Sequence, residues 1–505
     1  MIDVGTRKQL FIDDYVIGRL ENVWQVLNPA QKHPANPLVR GDRPWESSVV
    51  YMYGSVLYDE AEKRFRMWYH QTIEGGYGDN YHAGLLYATS EDGIRWEKPE
   101  LGIVELDGST SNNAIQRDHC TDWQFVQNIV YAPDEPDPQR RYKALAFLGA
   151  DKPKTVRPGY GALFSPDGIH WTSYEQNPVF KYDHVSVCEV CTTLYDERHQ
   201  QYVAFVKYSY WGCAPIPDRS FGLMRRCQGI MTSPDFIHWS PNQLVLIPDE
   251  LDDQLAEMRI MAAQPVLDFN NPSAHRAEFY GLGGLPYGDL FIGLLWVYDA
   301  SGSPLPENEG NPPKNGGSQD GPIHVQLVAS RDMRDWMRIG KRMPVLPLGE
   351  PGAWDGGMIL TAARPVIVGD EIRIYYSGYD RGHGLLPPAV NGAIGLATLR
   401  LDGFVSINAN AGGGTLTTRL LSFAGRRLVV NAETMGGRVA VELSDESGRP
   451  LPGFGASDCD AFSGDAVRHV VTWKGKSDVA AYAGTPIQVR FHLERAKLYA
   501  FTFEE

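Results

Sequence analysis

Carboxylates gather ahead of the apolar runs in this chain. Glu46 lies in RPWESS, Asp118 and Asp122 in QRDHCTDW, and Asp183, His184 and Glu189 in KYDHVSVCEVC. Asp252, Asp253, Glu257 and Arg259 follow in LDDQLAEMR, and Asp355 in AWDGG. Cleaving a glycosidic bond needs a protonated carboxyl to assist the leaving group and an ionised one to attack or to activate water. Crowding several acids at one partly buried place pushes their pKa values apart, which is the division that chemistry requires. The same oxygens suit a hard cation such as calcium, a second reading of the clustering; the bond cleavage itself requires no cofactor. Binding groups are expected from His184, Arg259, Arg364, Arg381, His383 and Trp211. Arg225 and Arg226 add to the cations available to an anion such as phosphate. Tyr77, Tyr81, Tyr160 and Tyr210 join Trp211 as aromatic surfaces on which a sugar ring could stack.

A repeated turn shows which elements must position these groups. TSEDGIRW (89–96), FSPDGIHW (164–171), TSPDFIHW (232–239) and ASRDMRDW (329–336) share one pattern, and LRLDGFV (399–405) is a degraded fifth copy. Copies 68 to 97 residues apart, each preceded by three strand-like runs, imply propeller blades and not a helical solenoid. Asp and Gly supply the turn, and the Trp is expected to pack between neighbouring blades. The first-to-second turns are short and charged, as in DEAEKR, DEPDPQRR and DERHQQ. The second-to-third loops are long and varied, and they share a face with the acid-bearing loops that lead into the inner strands. Function is expected on that face, with the DG turns on the opposite one. In the fourth unit AAQPVLDF reads as the inner strand and AEFYGLGGLPYGD as an insertion after it.

Past Asn408 short alternating strands read as a β-sandwich. The expected fold is therefore all-β: a five-bladed β-propeller over 1–408, with an N-terminal extension at 1–40, followed by a sandwich at 409–505. A formal charge of −15 argues against nucleic-acid and anionic-membrane partners. No basic leader with an apolar core and no 18-residue apolar run is present, so a cytoplasmic location is expected. Six cysteines without framework spacing fit reduced thiols. Cys188 and Cys191, three apart on a strand, point to opposite faces and do not make a zinc site. Oligomeric state is not read from the sequence.

Five blades, an acidic funnel and an appended sandwich resemble the five-bladed propeller glycosidase superfamily. It includes the invertase–levanase family (glycoside hydrolase family 32), the arabinanase–xylosidase family and the β-mannoside phosphorylases. FIDDYVI (11–17), HPANPLV (33–39), PWE (44–46), YGSVLYDE (53–60), FRMWY (65–69) and AWDGG (353–357) resemble bacterial proteins described as related to invertase. The resemblance implies a carbohydrate substrate and a glycosidase, with phosphorolysis in the same pocket or an idle sugar-binding propeller as alternatives. It matches Glu189-Val-Cys191 to the family's general-acid Glu-Cys pair. It matches Arg117-Asp118-His119 to the transition-state Asp motif, for which Asp122 competes. The family's first-blade Asn-Asp-Pro-Asn nucleophile motif is absent, which leaves Glu46 or Asp355 as the facing nucleophile or base.

Overall fold

The computed structural model describes residues 1–72, 84–106, 108–116, 125–148, 159–181, 187, 190–211, 224–262, 275–302, 319–385 and 389–505. Five antiparallel meanders run in chain order. Their inner strands are Val49–Asp59, Phe125–Tyr131, Cys191–Asp196, Arg276–Tyr287 and the broken pair Met358–Thr361 and Val366–Val368. Second strands are Arg64–Thr72, Tyr142–Leu148, Gln201–Trp211, Leu290–Gly302 and Glu371–Tyr379. Third strands are Leu85–Ser90, Gly159–Ser165, Met224–Ser233, Ile323–Ser330 and Gly392–Arg400.

Polar side chains stitch each inner strand to the next. Ser55 Oγ donates to the Ile129 carbonyl at 3.1 Å, and Asn128 Nδ2 donates to the Thr193 carbonyl at 2.6 Å. Thr192 Oγ1 donates to the Leu282 carbonyl. The Gly284 and Ala363 amides carry the belt onward to Ala363 and Gly54 at 2.7 and 3.3 Å. Hydroxyl and amide side chains at these buried positions satisfy strand edges that a ring turns toward its axis. The fifth blade takes its outermost strand from the other end of the chain, where Gln31–Lys32 pairs with Ala397 and Thr398.

The repeated turns are built as the sequence implies. In the first copy Asp92 Oδ1 accepts from the Ile94 and Arg95 amides at 2.7 and 2.8 Å, and Ser90 Oγ accepts from the Gly93 amide at 2.8 Å. The closing tryptophans reach the preceding blade: Trp96 meets Tyr375, Trp239 meets Phe180 and Trp336 meets Phe205, at centroid distances of 5.7 to 5.9 Å. The fifth copy is displaced by one residue. Asp402 itself takes the left-handed position (φ 65°) that Gly93 and Gly168 fill in the first two copies. Its carboxylate is buried and accepts from Tyr287 OH at 2.5 Å and Asn431 Nδ2 at 2.9 Å, with Lys8 Nζ at 2.8 Å. The degraded turn thus ties the ring to the sandwich.

Three further expectations are corrected. The fourth inner strand is Arg276–Tyr287, the segment read as an insertion, and residues 250–262 form an α-helix where a loop was expected. Gly281 explains the glycine-rich strand, since a Cβ there would lie 2.3 Å from the Trp296 ring. The N-terminal segment also departs from its expected place. Gln9–Leu10, Ile17–Glu21 and Trp24–Leu27 pair with sandwich strands, and Ile2–Gly5 pairs with Leu421–Phe423. The sandwich is dominated by two long strands, Arg427–Ser444 and Gln488–Glu504, which pair along their length through two register breaks. They close over a core that includes Phe11, Trp473, Phe491 and Phe501.

Candidate active site

Inner strands enter the ring from the face that carries the long loops, called the upper face here. Blades 3, 4 and 5 bring a charged cluster to that end. Arg276 and Glu278 alternate at the start of the fourth inner strand, followed on the same side by Tyr280. Arg276 Nε donates to Glu278 Oε1 at 2.7 Å, and Arg226, from the third strand of blade 3, donates to Glu278 Oε2. Burial alone would raise the Glu278 carboxyl, but the two guanidiniums hold it at about 2. Glu278 is therefore ionised at neutral pH and cannot serve as a proton donor.

Tyr280 stands between cations. Lys207 Nζ lies 5.3 Å from its ring centroid and the Arg226 guanidinium 5.6 Å, distances at which a cation is drawn to a ring face. The Tyr280 hydroxyl and His383 Nε2 are 3.0 Å apart, and the His383 ring rests 4.9 Å from that of Tyr298. Both Tyr280 and His383 are half-buried. Beneath them Tyr53 of blade 1 stacks on Trp296 of blade 4 at 6.1 Å. Those blades are not neighbours, so the contact fills the axis. Tyr51 and His70 extend the aromatic floor, stacked at 5.6 Å. Burial lowers the His70 pKa to about 4, so its ring is neutral, and it donates to the Val126 carbonyl.

Two of the expected acids occupy matching surroundings on blades 1 and 5. Glu46 follows Trp45; its Oε1 accepts from Tyr69 OH at 2.6 Å and its Oε2 meets Lys98 Nζ at 2.5 Å. Asp355 follows Trp354; its Oδ2 accepts from Tyr376 OH at 2.9 Å and meets Lys32 Nζ at 2.6 Å. An asparagine donates to each tyrosine oxygen, Asn113 at 2.8 Å and Asn36 at 3.2 Å. Burial, reinforced by the adjacent carboxylate, lifts both phenols far above their ordinary pKa and keeps them as donors. Both carboxylates are thus committed to a lysine and a tyrosine within their own blades.

The other expected residues separate. Glu257 lies on the exposed side of the helix Glu250–Ala262. Arg259 on the same helix makes a two-pronged pair with Asp299 at 2.6 and 2.7 Å, and Asp252 pairs with Arg338 at 2.8 Å. These pairs dock the helix on blade 4. Arg364 belongs to the opposite mouth, 3.8 Å from Glu197 in a first-to-second turn, because it lies in the break of the fifth inner strand, past its Met358–Thr361 half, and not ahead of the strand. Tyr160 is buried on a strand and is not available for stacking. Arg381 is half-buried in the second-to-third loop of blade 5, two residues before His383. Trp211 ends the second strand of blade 3, opposite Met224. Asp118, Asp122, Asp183, His184, Glu189, Cys188, Tyr77 and Tyr81 lie outside the described residues. No group of three or more His, Cys, Asp or Glu placed to hold a metal occurs among the described residues.

Lys207, Arg276, Glu278 and Tyr280 lie on strands, where the sequence pattern reads as core and not as loop. The alternation Arg-x-Glu-x-Tyr, which sets three functional groups on one side of a strand, was the available signal.

No family profile and no curated protein matches the chain. Solved structures with similar folds include an N-acetylgalactosamine deacetylase from F. plautii in complex with blood group B trisaccharide (13% identity, TM-score 0.43, covering 76% of this chain and 96% of that one). A β-1,2-mannobiose phosphorylase from Listeria innocua is 11% identical (TM-score 0.43, 74% and 96%). A family 32 β-fructofuranosidase from Bombyx mori is 11% identical (TM-score 0.40, 94% and 95%).

Proposed function

We propose that the protein is a carbohydrate-active propeller enzyme that cleaves a glycosidic bond at the upper mouth, with Glu189 as general acid. One observation carries the reading. Val190, the residue after Glu189, accepts at its carbonyl from the Lys207 amide at 2.8 Å and packs into the core cluster that contains Tyr51 and Trp296. Val190, at the start of the third blade, therefore adjoins both the charged cluster and the aromatic floor, and Glu189 precedes it in the sequence. An aromatic surface rimmed by a few polar groups suits a sugar ring, whose faces are apolar and whose edge is hydroxylated.

In this reading Glu189 gives its proton to the leaving oxygen as the bond to the anomeric carbon breaks, and water supplies the hydroxyl that replaces it. Tyr280 and His383 bind the sugar. Glu46 and Asp355 are committed to their lysines and tyrosines. The facing carboxylate is therefore assigned to Asp118 or Asp122, ahead of the second inner strand. A panel of aryl-glycosides and oligosaccharides, with and without phosphate, tests the activity; phosphate-dependent turnover would make it phosphorolysis in the same pocket. Glu189→Gln keeps the shape but not the proton, and kcat should fall by about 10²- to 10⁴-fold. The loss should shrink on activated aryl-glycosides, whose leaving groups need little protonation. Parent-like turnover of both substrate kinds by Glu189→Gln would remove Glu189 from the role.

A further inference from the structure

The end of the channel opposite the proposed active site holds a cavity of about 400 Å³. Inner strands of blades 1, 2 and 3 form its floor at Ser55, Ile129 and Thr193, below the Tyr53–Trp296 stack that fills the axis. The cavity is thus separate from the upper mouth. Its walls are aromatic: Tyr131, Tyr195 and Tyr202 all line it, and Tyr131 is 38% exposed although it sits on an inner strand. Its rim is polar. Arg364 and Glu197 face one another loosely at 3.8 Å, and Asp134 stands nearby. Glu135, also on the rim, is neutralised by Lys143 at 2.6 Å.

The charges choose among ligand classes. An organic cation would suit tyrosine rings, but the cation places are already filled: Lys143, paired with Glu135, lies 5.8 Å from the Tyr202 ring centroid, and Arg364 faces Glu197. An anion would meet Asp134 and Glu197. What remains is a neutral molecule with an apolar face and a hydroxylated edge, able both to accept from a guanidinium and to donate to carboxylates. We propose that the lower mouth is a second, non-catalytic binding site for a sugar ring, stacked on Tyr131 and held at its hydroxyls by Arg364, Glu197 and Asp134. The volume falls in the range of small-ligand sites and accommodates a terminal sugar, not a long chain.

The test is equilibrium binding of the full-length protein to methyl glycosides of glucose, galactose, mannose, fructose, xylose and arabinose, followed by calorimetry or ligand-observed NMR. At least one should bind saturably. Tyr131→Ala and Arg364→Ala should each weaken it about tenfold, the loss of one stacking contact or of one charged hydrogen-bond donor. Tyr131→Phe, which keeps the ring, should bind like the parent, and this guards against misfolding of the alanine variant. Turnover at the upper mouth should be unchanged in Tyr131→Ala, so a failed activity screen and a failed lower site give different results. If none of the six glycosides binds, or if binding ignores both alanine substitutions, the proposal is overturned.

Discussion

Blades 1 and 5 carry the same device, but they assemble it differently. In blade 1 Trp45, Glu46, Tyr69, Lys98 and Asn113 come from one continuous stretch of chain. In blade 5 Trp354, Asp355 and Tyr376 meet Lys32, on the strand that closes the ring from the other end of the chain, and Asn36, just past it. A pair that is local in one blade is therefore a closure latch in the other. The surroundings of the two carboxylates differ as well. Glu46 Oε2 also accepts from the Asp42 and Arg43 amides at 3.1 and 3.2 Å, whereas among the described residues the Asp355 carboxylate is served by Lys32 and Tyr376. Two regions with one motif thus have unequal reserves against loss of the lysine.

That inequality can be broken experimentally. Lys32→Met removes one of two donors from a carboxylate whose side chain is 4% exposed, and it loosens the closing strand as well. Stranding a buried charge typically costs about 3–5 kcal/mol, and this substitution should fall in that range by denaturant unfolding. Hydrogen exchange over residues 28–40 should rise selectively. Lys98→Met should cost less, about 1–3 kcal/mol, because Tyr69 and two amides still serve Glu46. Exchange over 28–40 should not change in that variant. Equal losses in the two variants, or a larger loss for Lys98→Met, would show that the latch is not special.

The same contrast explains what could be read from the sequence. The repeated turn was legible because Ser90, Asp92 and Gly93 act within a few residues, so composition and spacing carry the geometry. Five blades followed from it. The helix at 250–262 is not legible, because its apolar pattern is broken: Leu251, Met258 and Met261 are exposed, while Asp252 is buried against Arg338 beside Ala256 and Ile260. Ion pairs dock it, and no hydrophobic periodicity announces ion pairs. The N-terminal strands read as an extension because their partners lie some 370 or more residues away, as with Trp24 and Asn408. At the candidate site, His383 is legible as a candidate because it lies in a loop. Glu278 and Lys207 are not legible, because polar residues within apolar strands read as core. Asp355 and Glu46 were placed ahead of inner strands correctly, but which way they turn depends on Lys32 and Lys98, and that is a tertiary fact.

The smallest expected effect comes from the turns themselves, far from either device. Asp167 Oδ1 accepts from the Ile169 and His170 amides at 2.8 Å each, and Oδ2 meets His170 Nδ1 at 2.7 Å. Asp167→Asn retains an oxygen for the two amides and loses the contact with the imidazole, so the change in stability should stay within about 0.5 kcal/mol at neutral pH. Burial would raise the Asp167 pKa, but the His170 side chain, the two amides and the Ser165 hydroxyl together lower it. A folded pKa below the unfolded value of about 3.9 means that the carboxylate stabilises the fold above that pH. The benefit is lost as pH falls through the folded value, where the acid is protonated in both states. Melting temperatures of parent and Asp167→Asn should therefore differ slightly at neutral pH and converge toward the acid end. Divergence on acidification would reverse the assigned sign. Turnover should be unaffected, since the turn lies on the face opposite the proposed site; a selective fall in kcat with unchanged melting would place the chemistry on the lower face.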